Sequence, residues 1–248
     1  MKFEKTEVFN FEGAFRGMRN PMNSWDKSDS HNEYEEHVGW TDCKYVIGPN
    51  DMKLAQSLIK AGSEHRKFMR QIGVSVIITA PLYWWKEFDT YKVGTTSNST
   101  STMHKLASTP ITKECFEMDD FENLEDLEYP FAHVWEHTIK NCEILRQKYN
   151  ETKDKRYWKE LIRLLPESWL QKRTVTMNYE NVLNMVHQRR NHKLTEWSKS
   201  FIGWAKTLPY AEELIFFGGV DGKINSKRQD EHQQESEACT RKAVRSVG

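Results

Sequence analysis

No two cysteines in this chain sit close enough in sequence to suggest a pair. Cys43, Cys115, Cys142 and Cys239 are widely spaced and form no C-x-x-C motif. That argues against a zinc ribbon and a disulfide framework, and it points to a reducing compartment. An excess of either charge is missing too, since 36 Lys and Arg offset 36 Asp and Glu. A nucleic-acid clamp usually shows a basic surplus, so no nucleic-acid partner is expected. No apolar run approaches the length of a membrane span, and the opening MKFEKTEVFNFEG lacks the apolar core of a signal peptide. The expectation is a cytoplasmic protein with no membrane partner. Apolar residues are scarce as well, at 38%. The aromatics compensate: they are 12% of the chain and include nine Trp, and each buries a large area.

What is present is unevenly spread. Residues 82–106 read LYWWKEFDTYKVGTTSNSTSTMHKL, an aromatic block running into a stretch of Thr, Ser, Asn and Gly. Two readings stand open for it. Its hydroxyls and backbone N–H groups can converge on an anion, or it is a polar surface loop after an aromatic helix.

Along the rest of the chain, residues 3–11 alternate weakly and suggest a strand. Residues 12–31 hold clustered Gly, Pro, Asn, Ser and Asp, which predicts a loop with at most a helical turn. Arg16 and Arg19 in it are either solvated or reach an anion. Residues 43–47 suggest a short strand, and 51–72 a helix interrupted at Gly62, with Asp51 near its start. Residues 74–78, VSVII, predict a buried strand. Acidic residues crowd 107–126 and suggest a solvated face. Helices are expected over 129–149, 153–165, 178–190 and 194–208, with a strand over 169–176. From 218 onward large apolar residues are almost absent, so 218–248 reads as a disordered tail behind a single domain spanning 1–217.

Three constellations carry possible chemistry. His133-Val-Trp-Glu136-His137 places two His four apart on one helix face, with a Glu between. That is an inverted zinc-hydrolase string, or an ordinary exposed helix face. In VLNMVHQRRNHKLTEW (182–197), Val182, Val186 and Arg189 follow i, i+4, i+7, so Arg189 continues an apolar stripe. An Arg there needs an anion, and phosphate suits its fork of donors; the alternative is a helix end decorated with cations. Arg190 and His192 stand beside it. Arg163-Leu-Leu-Pro166 is the third.

Taken together these segments resemble the flavin-dependent thymidylate synthases, the ThyX or thymidylate synthase complementing family. Gly62-Ser-Glu64, a strand, Pro81, an aromatic helix and a loop ending in Ser101 match its front half. Tyr91-Lys92-Val93 stands where the family has Arg-His-Arg, with seven residues between it and Ser101, and Asn98 falls on a family Asn. Ser99 replaces the family's Glu, and Met103 its Arg. Downstream, Arg163, Leu165-Pro166, Asn178, Asn184, Arg189, His192 and Glu196 follow the family's order over roughly 50–215, with the Arg189–His192 gap one residue short.

The resemblance implies an α/β protein of the α+β type, with a mainly antiparallel central sheet flanked by helices. It implies a homotetramer with active sites between subunits, FAD as cofactor, NADPH and methylene-tetrahydrofolate as co-substrates, and conversion of dUMP to dTMP. By the same resemblance Ser101 and Arg189 are the catalytic candidates. Ser99, Thr100, Ser101, Thr102, Arg163, Arg189 and Arg190 would bind substrate. Lys92, Asn98, Asn178, Asn184 and His192 would bind flavin. The alternatives are the zinc hydrolase, or a non-catalytic nucleotide- or flavin-binding module on the same fold.

Overall fold

The computed structural model describes residues 1–37, 40–119 and 128–217. The expected tail at 218–248, and Asp120, Glu122, Glu125 and Asp126 of the acidic stretch, lie outside the described residues. Four strands, β1 (Lys2–Phe9), β4 (Gly73–Pro81), β5 (Thr96–Ser99) and β6 (Leu170–Asn178), form the main sheet in the spatial order β1-β4-β6-β5. Every pairing is antiparallel. The expected architecture, a mainly antiparallel sheet with helices against it, is therefore what the chain adopts. β2 (His31–His37) and β3 (Trp40–Val46) make a separate hairpin.

β4 forms where VSVII predicted a strand, and it runs through the middle of the sheet. Side chains alternate across a strand. Val74, Val76, Ile78 and Ala80 thus point into one core, where Val175 and Met177 of β6 join them. That core is closed by α1 (Phe11–Met18), α2 (Pro49–Ala61), α3 (Leu82–Phe88), α7 (Tyr179–Arg189), and the π-helical segment Glu196–Phe201 leading into α8 (Ile202–Lys206). Aromatic rings fill its centre. Trp84 of α3 lies 4.5 Å from Trp197 and 4.8 Å from Trp85, centroid to centroid.

A second, smaller cluster forms around Leu106, Ile111, Phe116, Ile139, Cys142 and Leu161. It sits under the helical pair α5 (Phe131–Thr152) and α6 (Lys155–Leu164), with the short α4 (Thr102–Lys105) leading into it. A last turn, α9 (Ala211–Leu214), returns to the main core.

Two expectations are corrected. The 12–31 loop begins instead with α1, whose Phe11, Ala14, Phe15 and Met18 are buried at helical spacing. Gly17 of this helix faces the end of the flexible Gln71 side chain, whose Oε1 would lie 2.8 Å from a Cβ there. The rest of that segment is tied down by a buried pair. Arg19 Nε donates to Asp51 Oδ1 at 2.5 Å, and Asp51 Oδ2 accepts from Ser28 and Ser30. Burial pushes Asp51 upward, but these donors outweigh it and hold the carboxyl below its ordinary range. Of the two readings for Arg19, the anion is the one found, and it is a carboxylate of the chain itself. The start of α2 is then satisfied from a distance, by Asp29 accepting from the N–H groups of Asn50 and Asp51. The second correction concerns the hydroxyl stretch: part of it is strand β5 rather than loop.

Candidate functional site

The hydroxyl stretch is built from backbone pairing. β5 runs antiparallel to β6 with Asn98 opposite Thr174 and Ser99 opposite Arg173. Thr100 continues the contact: its N–H and its hydroxyl both donate to Lys172 O, at 2.9 and 3.2 Å. Ser97, Asn98, Ser99 and Thr100 are exposed. Ser101 caps α4, its Oγ accepting from His104 N at 3.1 Å, and Thr102 is the first helical residue after it. A hydroxyl that accepts still has a proton to give. The cation beside this stretch is one that sequence reasoning missed. Arg173 lies 4.2 Å over the Trp85 ring and pairs with Asp89 at 2.7 Å. Its strand position was legible, but its partner on the end of α3 was not.

Arg189 closes α7 and faces α3. Its Nη1 is 2.8 Å from Glu87 Oε2, and its Nε donates to the Tyr91 hydroxyl at 2.8 Å. The guanidinium also lies 5.0 Å over the Trp197 ring. The anion that the apolar stripe demanded is therefore present within the chain, as Glu87. His192 joins the same carboxylate through Nε2 at 3.4 Å, while its Nδ1 accepts from Leu194 N. Burial raises the Tyr91 hydroxyl's pKa against the opposing pull of Arg189. Tyr91, at the start of the substituted Tyr91-Lys92-Val93 string, is thus a direct partner of Arg189.

The other polar face of α7 was also missed. Glu180, Asn184 and His187 recur at i, i+4, i+7 and meet the segment Lys67–Arg70 and the residue before it. Arg66, only 5% exposed, donates to Glu180 at 3.0 Å and to Asn184 Oδ1 at 3.0 Å. Arg70 donates to the other Glu180 oxygen. Burial works to raise Glu180, yet the two arginines hold it below its ordinary range. His187 goes down to about 4, first through burial, then through the nearby Arg66 and Arg190.

Of the remaining candidates, Asn178 caps α7, accepting from Asn181 N at 2.9 Å in a reciprocal box. Asn181 in turn holds Val93 O at 2.8 Å, which pins the segment carrying exposed Lys92 against the start of α7. Gly94 sits there with φ +75°, a left-handed conformation suited to glycine. The fold thus brings Lys92, Asn178, Asn184, Arg189 and His192 along one helix and its partner segment. Arg163 stands apart on α6, exposed and paired with Glu160 at 2.5 Å. α6 does touch the hydroxyl stretch elsewhere, through Trp158 Nε1 donating to Met103 O.

His133, Glu136 and His137 lie on an outer face of α5, with Glu136 3.5 Å from Lys113. Among the described residues, no group of three His, Cys, Asp or Glu side chains is arranged to hold a metal ion. Nor is any described helix long and apolar enough to cross a membrane.

No protein-family model matches the chain, and no curated protein matches it. Solved structures do. Two of them are thymidylate synthase X (ThyX) from Helicobacter pylori with FAD and dUMP, with TM-scores of 0.62 and 0.61 at 16% identity. The matches cover 87% of this chain and 97% and 98% of those chains. The architecture that the ordered motifs implied is the one found: the chain has a ThyX-like fold.

Proposed function

We propose that the chain is a flavin-dependent enzyme of the thymidylate synthase type. The supporting observation is the shared fold, over 87% of this chain, with solved structures that hold both FAD and dUMP. In this reading dUMP is the substrate, methylene-tetrahydrofolate gives the carbon, and NADPH gives the reducing equivalents, to yield dTMP. Residues 1–217 act as one catalytic domain, in a cytoplasmic homotetramer with active sites between subunits.

The residues present fit such ligands. Asn178 and Asn184 each spend their amide oxygen inside the chain, which leaves the NH2 group as a donor. Lys92 is exposed on the segment that α7 pins, and Asn98 is exposed on β5 opposite Thr174. These four, with His192, are assigned to the flavin. A bound flavin supplies the hydride chemistry; the chain supplies binding, orientation and charge. Ser99, Thr100, Ser101 and Thr102 are assigned to the dUMP phosphate, because their hydroxyls lie along and just beyond an open strand edge. Arg189, with Arg190 and Arg163, is assigned to the pyrimidine nucleotide. Two of Arg189's nitrogens are engaged by Glu87 and Tyr91, so Nη2 remains to polarise a ring carbonyl or grip an oxygen.

The test is direct. The purified full chain should carry or take up FAD, with the yellow absorbance of a flavoprotein, and should oxidise NADPH when dUMP and methylene-tetrahydrofolate are added. A protein that stays colourless with excess FAD rejects the reading. A second reading draws on the closed Arg189–Glu87 pair: a non-catalytic module that binds FAD or dUMP without oxidising NADPH.

A further inference from the structure

Strand alternation divides the hydroxyl stretch between two sheet faces. On β5, Thr96 and Asn98 stand opposite Thr176 and Thr174 of β6, whose side chains are exposed. Ser97 and Ser99 stand opposite Val175 and Arg173, on the face where Val175 enters the main core. Residues directly opposite each other share a face, so the side chains of Ser99 and Arg173 are neighbours. Thr100 is used differently: its hydroxyl donates to Lys172 O, and its carbonyl accepts from Gln171 Nε2 at 2.9 Å. Ser99 is exposed, and among the described residues its hydroxyl makes no hydrogen bond.

Arg173 is fixed on three sides and keeps one nitrogen over. Its guanidinium lies over the ring of Trp85, which is buried. Its Nε donates to Oε1 of the buried Gln171 at 2.9 Å, and its Nη1 donates to Asp89 Oδ1 at 2.7 Å. Among the described residues Nη2 makes no hydrogen bond, and 13% of the side chain stays exposed. Gln171 joins the two parts of the site. One end of its amide holds Arg173 and the other holds Thr100 O, so a single buried side chain sets the guanidinium against the hydroxyl stretch. Asp89, in contrast, is 53% exposed, and water weakens its hold on the cation.

We propose that Arg173 is the cation that grips the phosphate of the nucleotide, with the Ser99 hydroxyl beside it. The proposal rests on the dUMP reading above and narrows it. Ser99, and by alternation Ser101 two places on, belong to the Arg173 face, whereas Thr100 belongs to the other. A planar guanidinium held at Nε and Nη1 presents Nη2 in one direction, which suits a phosphate oxygen. Asp89 is a competitor built into the same site. It neutralises Arg173 while no nucleotide is bound, and its charge repels an arriving phosphate.

The experiment is calorimetric titration of the full chain, with FAD present, using dUMP and, separately, deoxyuridine, which lacks the phosphate. The unaltered chain should bind dUMP about tenfold or more tighter than deoxyuridine. Arg173→Gln should remove most of that preference. Asp89→Asn keeps the shape and removes the competing charge, so it should tighten dUMP by about threefold, a change of opposite sign. A pair that only braced the fold would give no gain in Asp89→Asn. Should Arg173→Gln fail to fold, Asp89→Asn, at a half-exposed position, decides alone. Absence of dUMP binding by the unaltered chain overturns the thymidylate synthase reading and this proposal together. If dUMP binds, three results overturn this proposal alone: equal binding of deoxyuridine, a preference that survives in folded Arg173→Gln, or no gain in Asp89→Asn.

Discussion

Helix α7 and strand β5 both carry side chains of the kind that hold ligands, yet the fold treats them in opposite ways. On α7 nearly every such group has a partner from the chain. Glu180 is gripped by Arg66 and Arg70, Asn184 by Arg66, Arg189 by Glu87 and Tyr91, and Asn178 by its own helix start. On β5 the side chains of Thr96, Ser97, Asn98 and Ser99 stand exposed, and the strand is held through its backbone. The helix lies against the core, where an unpaired charge is costly, so its polar groups must be satisfied before any ligand arrives. An edge strand faces water, where unsatisfied hydroxyls cost little. The first region is preorganised and the second is available.

Substitutions can break that contrast or sharpen it. The largest effect expected is on the helix. Glu180→Ala leaves Arg66 buried without its carboxylate and should cost about 3 kcal/mol of stability by urea denaturation. A cost under about 1 kcal/mol would mean that α7 is not preorganised by this pair. Next is Arg189→Ala, which should lower turnover by about 100-fold or more while circular dichroism stays unchanged. Unchanged turnover would remove Arg189 from the machinery.

Third is a pH effect. His187 ordinarily titrates near 6.5 and goes down to about 4 in the fold, so the folded state favours the neutral ring. Its contribution is fully present above 6.5 and is lost as pH falls from 6.5 through 4. Solvent screening leaves this on the order of 1 kcal/mol. His187→Gln should flatten the Tm-versus-pH curve in that window, and a curve that keeps its slope would place the titration elsewhere. The smallest effect belongs to the open region. Ser101→Ala loses the α4 cap and should cost about 0.5–1 kcal/mol in Tm measurements. It should weaken dUMP more than it weakens the fold, and equal losses would make Ser101 a cap alone.

Much of this arrangement was legible in the sequence, for physical reasons that can be named. VSVII is short, β-branched and bounded by Gly73 and Pro81, and it became the inner strand β4. The spacing that put Arg189 on the apolar stripe of α7 demanded an anion, and one is there. The sequence could not identify it as Glu87, because a pair 102 residues apart is made by packing rather than by periodicity. Helix α1 was readable from Phe11, Ala14, Phe15 and Met18, but the glycines and polar residues around them obscured the pattern. β5 had no signal to read. A strand of Thr, Ser and Asn shows no apolar alternation, and it exists because β6 offers it a backbone to pair with. The polar face formed by Glu180, Asn184 and His187 lay in plain view as an i, i+4, i+7 set, overshadowed by the arginines just after it.

The six residues Glu196–Phe201 wind as a π-helix rather than an α-helix. Such a segment is equivalent to one extra residue in an otherwise regular helix. It is therefore a place where chain length can change by one without moving the structure on either side. Trp197 and Phe201, both within it, pack against Trp84. In that sense the bulge is a slack link, where the chain can absorb a single-residue change while the aromatic centre stays in register.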